Sequence, residues 1–238
     1  LVEQYGVRYV EIIDDTLTVN TKHVVAICQA VIDAGLGDKI SAWCFSRTDR
    51  SYLNLFKIMK RAGIDWAFEG FESGNDTVLQ GVSKKQTLEE IRQAVSNGQK
   101  AGIHIGGNYV FGLPGDTLET MDQTLTLAKD LNTEAANFFI LMPYPGTKLN
   151  EIAKEKGYPL PEKWGQYGFF APDAVPMRNE TLTVEQILGF RDNAFTEYYG
   201  GKRYQEMVGQ VFGPKVLDFI RTEILGRQLV RTPRPERP

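Results

Sequence analysis

Cysteine and histidine are scarce in this 238-residue sequence, two of each: Cys28 and Cys44, His23 and His104. Scattered in this way they make neither a disulfide framework nor a structural zinc site, so no metal ligands are expected among them. Long apolar runs are also missing. No window approaches the ~18 residues that would span a bilayer. The N-terminus shows no charged-then-apolar leader, so no membrane partner and, by default, a cytoplasmic location are expected. The 27 basic residues form no block, and a net charge of −3 leaves no electrostatic footprint for nucleic acid. What remains is globular in composition, with 42% hydrophobic and 24% charged residues, which argues against disorder, collagen or coiled coil. The first residue is Leu1 rather than Met, and a piece of something longer is expected.

Short runs rich in Val, Ile and aromatics recur at 7–14, 39–46, 64–71, 103–112 and 135–141, separated by stretches of helical periodicity. Their starts lie roughly 25–40 residues apart, room for one crossover helix each. The helices carry their own punctuation. Three end in an Ala-Gly step, at Ala34-Gly35, Ala62-Gly63 and Ala101-Gly102, where a Gly supplies the left-handed residue that turns the chain into the next strand. Thr87 with Glu90, and Thr183 with Gln186, read as capping boxes; Asp116 reads as the N-cap of a further helix, with Glu119 three residues on. The expected fold class is therefore α/β, a partial parallel (βα) TIM-like barrel followed by C-terminal helices. Residues 1–156 form the barrel part, 157–182 a loop rich in Pro, Gly and aromatics, 183–230 a helical extension reaching to about 228, and 231–238 a disordered tail without apolar anchors.

In such sheets ligands sit beyond the carboxyl ends of the strands. The first run ends in Asp14-Asp15. Adjacent carboxylates on a strand point to opposite faces, so at most one faces the ligand side; the alternative is that one of them simply caps the following turn. The second ends in WCFSRTD, where Arg47 either grips a carboxylate or pairs with Asp49; Cys44 inside the strand reads as a core residue. The third ends in FESG. Glu72 and Ser73 can accept from an ammonium group or ribose hydroxyls; if Glu72 faces the ligand, Glu69, of opposite parity, faces the helix layer, where it needs a partner or solvent. The fourth carries Gly107, Asn108 and Gly112 into GLPGDT, which has neither Walker A nor dinucleotide spacing and suits a flat heterocycle against backbone. The fifth ends at Leu141 and MPYPGT, with Tyr144 an aromatic wall or a plain turn residue. Both histidines read as satisfied or solvent-facing.

In this order and at these intervals, IIDDTLTVN, WCFSRTD, FESG, GLPGDT and PYPGT resemble the catalytic core of radical S-adenosylmethionine (SAM) enzymes. The likeness is to the cobalamin-associated branch that includes the anaerobic magnesium-protoporphyrin monomethyl ester cyclase group. It covers roughly 7–156. The resemblance implies that Asp14-Asp15 lie where the family contacts the SAM amino group, and Glu72 and Ser73 where it contacts the ribose or methionine part. It places Gly107, Asn108 and Gly112 near the adenine, Leu141 and Tyr144 on the adenine side, and Arg47 at a polar contact. It implies SAM and a [4Fe–4S] cluster as cofactors, with cobalamin through an upstream domain, and a small-molecule substrate; no catalytic residue is assigned. The family holds its cluster in a C-x3-C-x2-C loop after the first strand, and no such motif exists in this sequence. A fragment cut downstream of that loop is therefore expected, with the missing N-terminal part of the parent chain as its partner and an exposed first-strand edge that must be covered, swapped or paired in an edge-strand homodimer. Such a fragment alone should be inactive. Two other readings stand beside this one: a cluster-less module that binds an adenosyl ligand, and an unrelated barrel lyase or hydrolase using Glu72 and Asp15 as acid and base.

Overall fold

The computed structural model describes residues 1–82, 84, 86–227 and 229–232. A single helical turn, α1 (Val2–Tyr5), precedes β1 (Tyr9–Ile12), α2 (Thr21–Asp33), β2 (Ser41–Ser46), α3 (Leu53–Arg61) and β3 (Ile64–Glu72). Then come α4 (Asp76–Gly81), α5 (Leu88–Ala101), β4 (His104–Phe111), α6 (Leu118–Leu131), β5 (Ala135–Ile140) and α7 (Lys148–Glu155). The helices α8 (Val184–Gly200), α9 (Lys202–Val211) and α10 (Pro214–Phe219) follow, and a π-helical turn over Ile220–Ile224 ends the regular structure. The five strands make one sheet in the order β1-β2-β3-β4-β5. β1 pairs with β2 and β2 with β3 in parallel, Glu11 opposite Trp43 and Ser46 opposite Glu69. Parallel neighbours cannot be joined by a tight turn, and the helix between each pair is the crossover that the geometry requires.

The strands fall where the periodicity puts them, with β1 trimmed at both ends and β2 beginning at Ser41 rather than 39. β1 covers Tyr9–Ile12 rather than 7–14, because it has a neighbour on one side only and that neighbour begins at Ser41, opposite Tyr9. The Ala-Gly corners form as expected: Gly35, Gly63 and Gly102 all take positive φ, at 63°, 79° and 76°. Gly63 has a second reason to be glycine, since a Cβ there would lie 2.6 Å from the Gly37 carbonyl oxygen. Both capping boxes are present, at Thr87/Glu90 and Thr183/Gln186. The helix α6 differs from expectation. Its N-cap is Thr117, boxed with Thr120, and not Asp116, whose carboxylate turns back instead to accept the Leu113 N–H at 2.9 Å.

Two compact units share the chain. The first comprises Leu1–Phe71, Lys85–Asn108 and Thr133–Asn137. Its helices α2, α3 and α5 cover one face of the strands, burying Val24, Cys28, Phe56, Met59, Ile91 and Val95 with Ala42, Cys44, Ala67 and Ile105. The opposite face carries Trp43, Phe45, Trp66, Phe68 and His104, partly open to solvent. In a closed barrel that face is the lumen.

The second unit comprises Glu72–Lys84, Tyr109–Asn132 and Phe138–Pro238. Its core is aromatic: Tyr109 and Phe111 stack on Phe138, which meets Tyr198 edge to face, and Tyr199 and Tyr204 close the cluster. The expected loop 157–182 contains one 3-10 turn, Trp164–Tyr167. The tail expected to be disordered lies outside the described residues from 233 onward, and residue 228 lies outside them too. Its first two residues are held in place, which corrects that expectation. Arg231 pairs with Asp192 and donates to the carbonyls of Ala171 (2.7 Å) and Phe169 (3.1 Å), and the Thr232 N–H donates to the Pro172 carbonyl. A composition lacking apolar anchors did not reveal an anchor made by a guanidinium.

Candidate functional site at the strand ends

In the first unit, the carboxylates after β1 are both exposed. Asp14 accepts the Thr16 N–H at 3.3 Å in an Asx turn, so one of the pair does cap. Arg47, at the end of β2, makes a bidentate pair with Asp49 at 2.8 and 3.0 Å. That contact holds Asp49 below the usual carboxylate range. The pair is exposed, and an exposed pair stabilises little, so a ligand carboxylate can replace Asp49 at small cost. The turn itself is better anchored than its side chain. The Arg47 N–H donates to Thr18 Oγ1 at 2.9 Å, and the Asn97 amide donates to the Ser51 carbonyl at 2.8 Å.

Glu69 has the partners its parity demanded. It is fully buried, and Oε1 receives Ser51 Oγ at 2.5 Å and Ser46 Oγ at 3.3 Å. Burial pushes its carboxyl up to about 7 against the opposing pull of the Ser51, Ser46 and Thr48 hydroxyls.

On the open face of β4, Asn108 accepts from the Asn137 amide at 2.9 Å, while Gly107 is buried toward the helices. Between them and β3, Gly106 leaves room for a ring: a Cβ there would lie 2.2 Å from Phe68. Phe68 in turn stacks on Trp66 and meets Trp43 and Phe45 edge to face, which makes the lumen side of this unit an aromatic wall. His104 belongs to it, tilted against Trp66 with Nδ1 3.4 Å from Glu134.

In the second unit, Glu72 ends β3 with φ 62°, one of two described non-glycine residues in the left-handed region. Strain of this kind persists only where the surroundings impose it. Its carboxylate meets Lys84 Nζ at 2.6 Å and remains partly exposed. Ser73 is fully buried, its hydroxyl accepting from the Asn75 N–H at 3.2 Å and lying 3.3 Å from Thr124 Oγ1. Gly74 presses its backbone on α6, where a Cβ would come within 2.4 Å of the Gln123 carbonyl oxygen, and its N–H donates to Thr124 Oγ1 at 2.8 Å. Gly112 takes φ 80°, beside Ile187. Asp116 then closes the GLPGD loop from inside. Its carboxylate bonds Leu113 N–H and Thr120 Oγ1, and its carbonyl accepts from Asn179 and Thr181. Burial pushes its carboxyl above the usual carboxylate range despite those donors. Leu141 is half-buried and bonded to the Phe111 carbonyl, and Tyr144 is exposed, stacked on Tyr167 at 5.5 Å.

Three supports escaped the sequence reading: Thr124, Asn179 and the Ser46/Ser51 pair. Thr124 and Asn179 reach strand-end loops from other segments, and Ser46 and Ser51 reach Glu69 within β3 from the end of β2 and the turn after it; only the parity of Glu69 hinted that any was needed. The cysteines do not fit an iron–sulfur cluster. Both are free and fully buried, and burial lifts the Cys28 thiol to about 11 and that of Cys44, with Glu69 adding to it, to about 12. A cluster ligand must be a thiolate. Among the described residues no three His, Cys, Asp or Glu side chains gather to hold a metal. Also among the described residues, no helix is long and apolar enough to cross a membrane.

The radical SAM superfamily model matches residues 1–128. An uncharacterized methyltransferase of Pyrococcus horikoshii is 32% identical over 82% of this chain and 42% of its own length. The anaerobic magnesium-protoporphyrin IX monomethyl ester cyclase of Cereibacter sphaeroides is 26% identical over 84% of this chain and 32% of its own. The chain thus spans less than half the length of either relative. Among solved structures, the radical SAM methyltransferase TsrM from Kitasatospora setae, with cobalamin and a [4Fe–4S] cluster bound, superposes on 65% of this chain and 30% of its own. The TM-score is 0.57 and the identity 17%, a likeness of fold. More than half of the sequence matches the family model: the chain belongs to the radical SAM superfamily.

Proposed function

We propose that this chain is the C-terminal portion of a radical SAM enzyme, supplying part of the SAM site and of the barrel wall while the cluster ligands come from outside this sequence. The observation that carries the reading is Glu72: a carboxylate in strained left-handed backbone at a strand end, in a chain of this family. Its pairing with Lys84 shows a cation partner already in place, and an ammonium group is what SAM offers such a carboxylate. Asp14 and Asp15 present further carboxylates, Arg47 a guanidinium for a carboxylate, and Asn108 an amide on the open face. Leu141 and Tyr144 give an apolar and an aromatic surface for adenine. Ser73, Gly107 and Gly112 act from behind, shaping backbone rather than touching ligand, since all three are buried.

When bound, SAM would supply its sulfonium carbon–sulfur bond for reductive cleavage, with the electron coming from the [4Fe–4S] cluster whose ligands lie outside this sequence, or a methyl group for cobalamin-dependent methylation, in support of methylation or cyclisation at an unreactive carbon. The chain's part is to bind, orient and keep water away, as proteins do around cofactors that carry the hard chemistry. The aromatic wall of Trp43, Phe45, Trp66 and Phe68 supports a small-molecule substrate with a flat or apolar face. Two buried thiols support inactivity of this chain by itself. The unrelated lyase or hydrolase gives way to the family match. The test is the reading frame upstream of the Leu1 codon. A C-x3-C-x2-C motif there is expected; a frame without one overturns the proposal and leaves a cluster-less adenosyl-binding module.

A further inference from the structure

Ser51 Oγ sits between two oxygens, 2.5 Å from Glu69 Oε1 and 2.9 Å from the Arg47 carbonyl oxygen. A serine hydroxyl carries one proton. If Glu69 is ionised, both neighbours are acceptors and the single Ser51 proton serves only one, so lone pairs face each other across either the 2.9 Å contact with the carbonyl or the 2.5 Å contact with Oε1. Ser46 does not lift the conflict, because its hydroxyl lies 3.3 Å from both Ser51 Oγ and Glu69 Oε1 and leaves the Ser51 proton count unchanged. If Glu69 is neutral, its own O–H donates to Ser51 Oγ, and the Ser51 proton is free for the carbonyl. Both close Ser51 contacts then carry a proton, while Glu69 Oε2 and Thr48 Oγ1 are buried without a hydrogen-bond partner among the described residues. The same carbonyl accepts the Arg50 N–H at 2.9 Å, so it is the point on which the turn closes.

The groups around Glu69 agree with the neutral form. Asp49 in the same turn opposes a second negative charge, and the Arg47 guanidinium is committed to Asp49. The Cys44 thiol on β2 is itself raised and neutral, and α5 contributes the neutral Asn97, bonded to the Ser51 carbonyl.

We propose that Glu69 is a protonation-controlled clasp and positioning residue for the turn that carries Arg47: the neutral acid, through Ser51, fastens the Arg47 carbonyl, and ionisation withdraws that proton and loosens the turn. The ligand that the turn would meet rests on the reading above; the clasp itself does not.

The experiment is amide hydrogen exchange by NMR on the full chain between pH 5.5 and 8.5, corrected for intrinsic rates, in the wild type and in Glu69→Gln. Protection at Arg50 should fall roughly fivefold, the weight of about one hydrogen bond, as the wild type passes through pH 7. It should stay level in Glu69→Gln, whose amide donates to Ser51 at every pH. A level profile in the wild type, or a variant that keeps the wild-type fall, overturns the proposal. Should the variant not fold, infrared spectra of the wild type carrying 13C-labelled glutamate decide. A buried protonated carboxyl band present at pH 6 and lost by pH 9 supports the clasp, and no such band at pH 6 overturns it. Neither measurement involves SAM, so the upstream reading frame can fail without touching this result.

Discussion

Replacing Thr124 by Val removes one oxygen and almost no volume, which isolates what fastens the FESG loop to α6. Thr124 is 1% exposed; its hydroxyl oxygen accepts the Gly74 N–H at 2.8 Å and lies 3.3 Å from Ser73 Oγ, while its proton goes to the Thr120 carbonyl at 3.0 Å. Gly74 is buried with its backbone pressed on Gln123, so water has no way to replace the lost acceptor. A buried donor left unsatisfied costs about 1–3 kcal/mol, and no cavity term is added because the exchange keeps the shape. We expect a loss on the order of 2 kcal/mol in urea unfolding, or ~4–8 °C in melting temperature for a chain of this size. The Gly74 amide should exchange faster by a matching factor. Thr124→Ser, which keeps the hydroxyl, should recover the Gly74 protection. A Thr124→Val chain within about 0.5 kcal/mol of wild type, with Gly74 protection unchanged, would refute the reasoning.

Glu69 gives a pH prediction whose sign is set by its raised value. The fold favours the neutral acid, so its contribution is fully present below the ordinary value of 4.5 and is lost as pH rises through about 7. Urea titrations should show a decline on the order of 3 kcal/mol across that window, absent in Glu69→Gln. Arg231→Ala should free the 169–172 segment, raising its cleavage by a non-specific protease several-fold and costing about 1–3 kcal/mol, since Asp192 loses one of its two arginine partners. Among the described residues β1 has an unpaired edge, and its first residue Tyr9 and the following Ile13 are 86% and 92% exposed; light scattering should show concentration-dependent dimerisation that Tyr9→Lys weakens, and a monomer at high concentration would count against it.

The strands and their corners were legible because both signals are local: a β-branched or aromatic run, then an Ala-Gly step whose glycine must be left-handed. Capping boxes are local as well, and Thr87/Glu90 and Thr183/Gln186 read correctly. Asp116 did not, because its carboxylate chose between two local uses and the buried loop closure won over the cap. The rest of the site depends on register. That Glu69 needed a partner could be read from strand parity, but Ser46 stands opposite it only once β2 and β3 are paired with a bulge between Ala42 and Trp43. Asn179 and Thr181 reach the Asp116 carbonyl from over sixty residues away, and no pattern in the loop announces it. The family itself was visible in no single motif. Five weak strand-end signals became specific through their order, which is a property of the whole sheet.

The proposed function assigns SAM to strand ends of this chain and the cluster ligands to sequence outside it. Anaerobic reconstitution with iron and sulfide tests it most directly, performed on the 238-residue chain beside the same chain extended upstream, with iron and sulfide content and visible absorption as the readout. The account predicts a full [4Fe–4S] complement in the extended protein and none in the chain alone, with Cys28→Ala and Cys44→Ala changing nothing. A stoichiometric cluster in the chain alone, lost on replacing either buried cysteine, would contradict it.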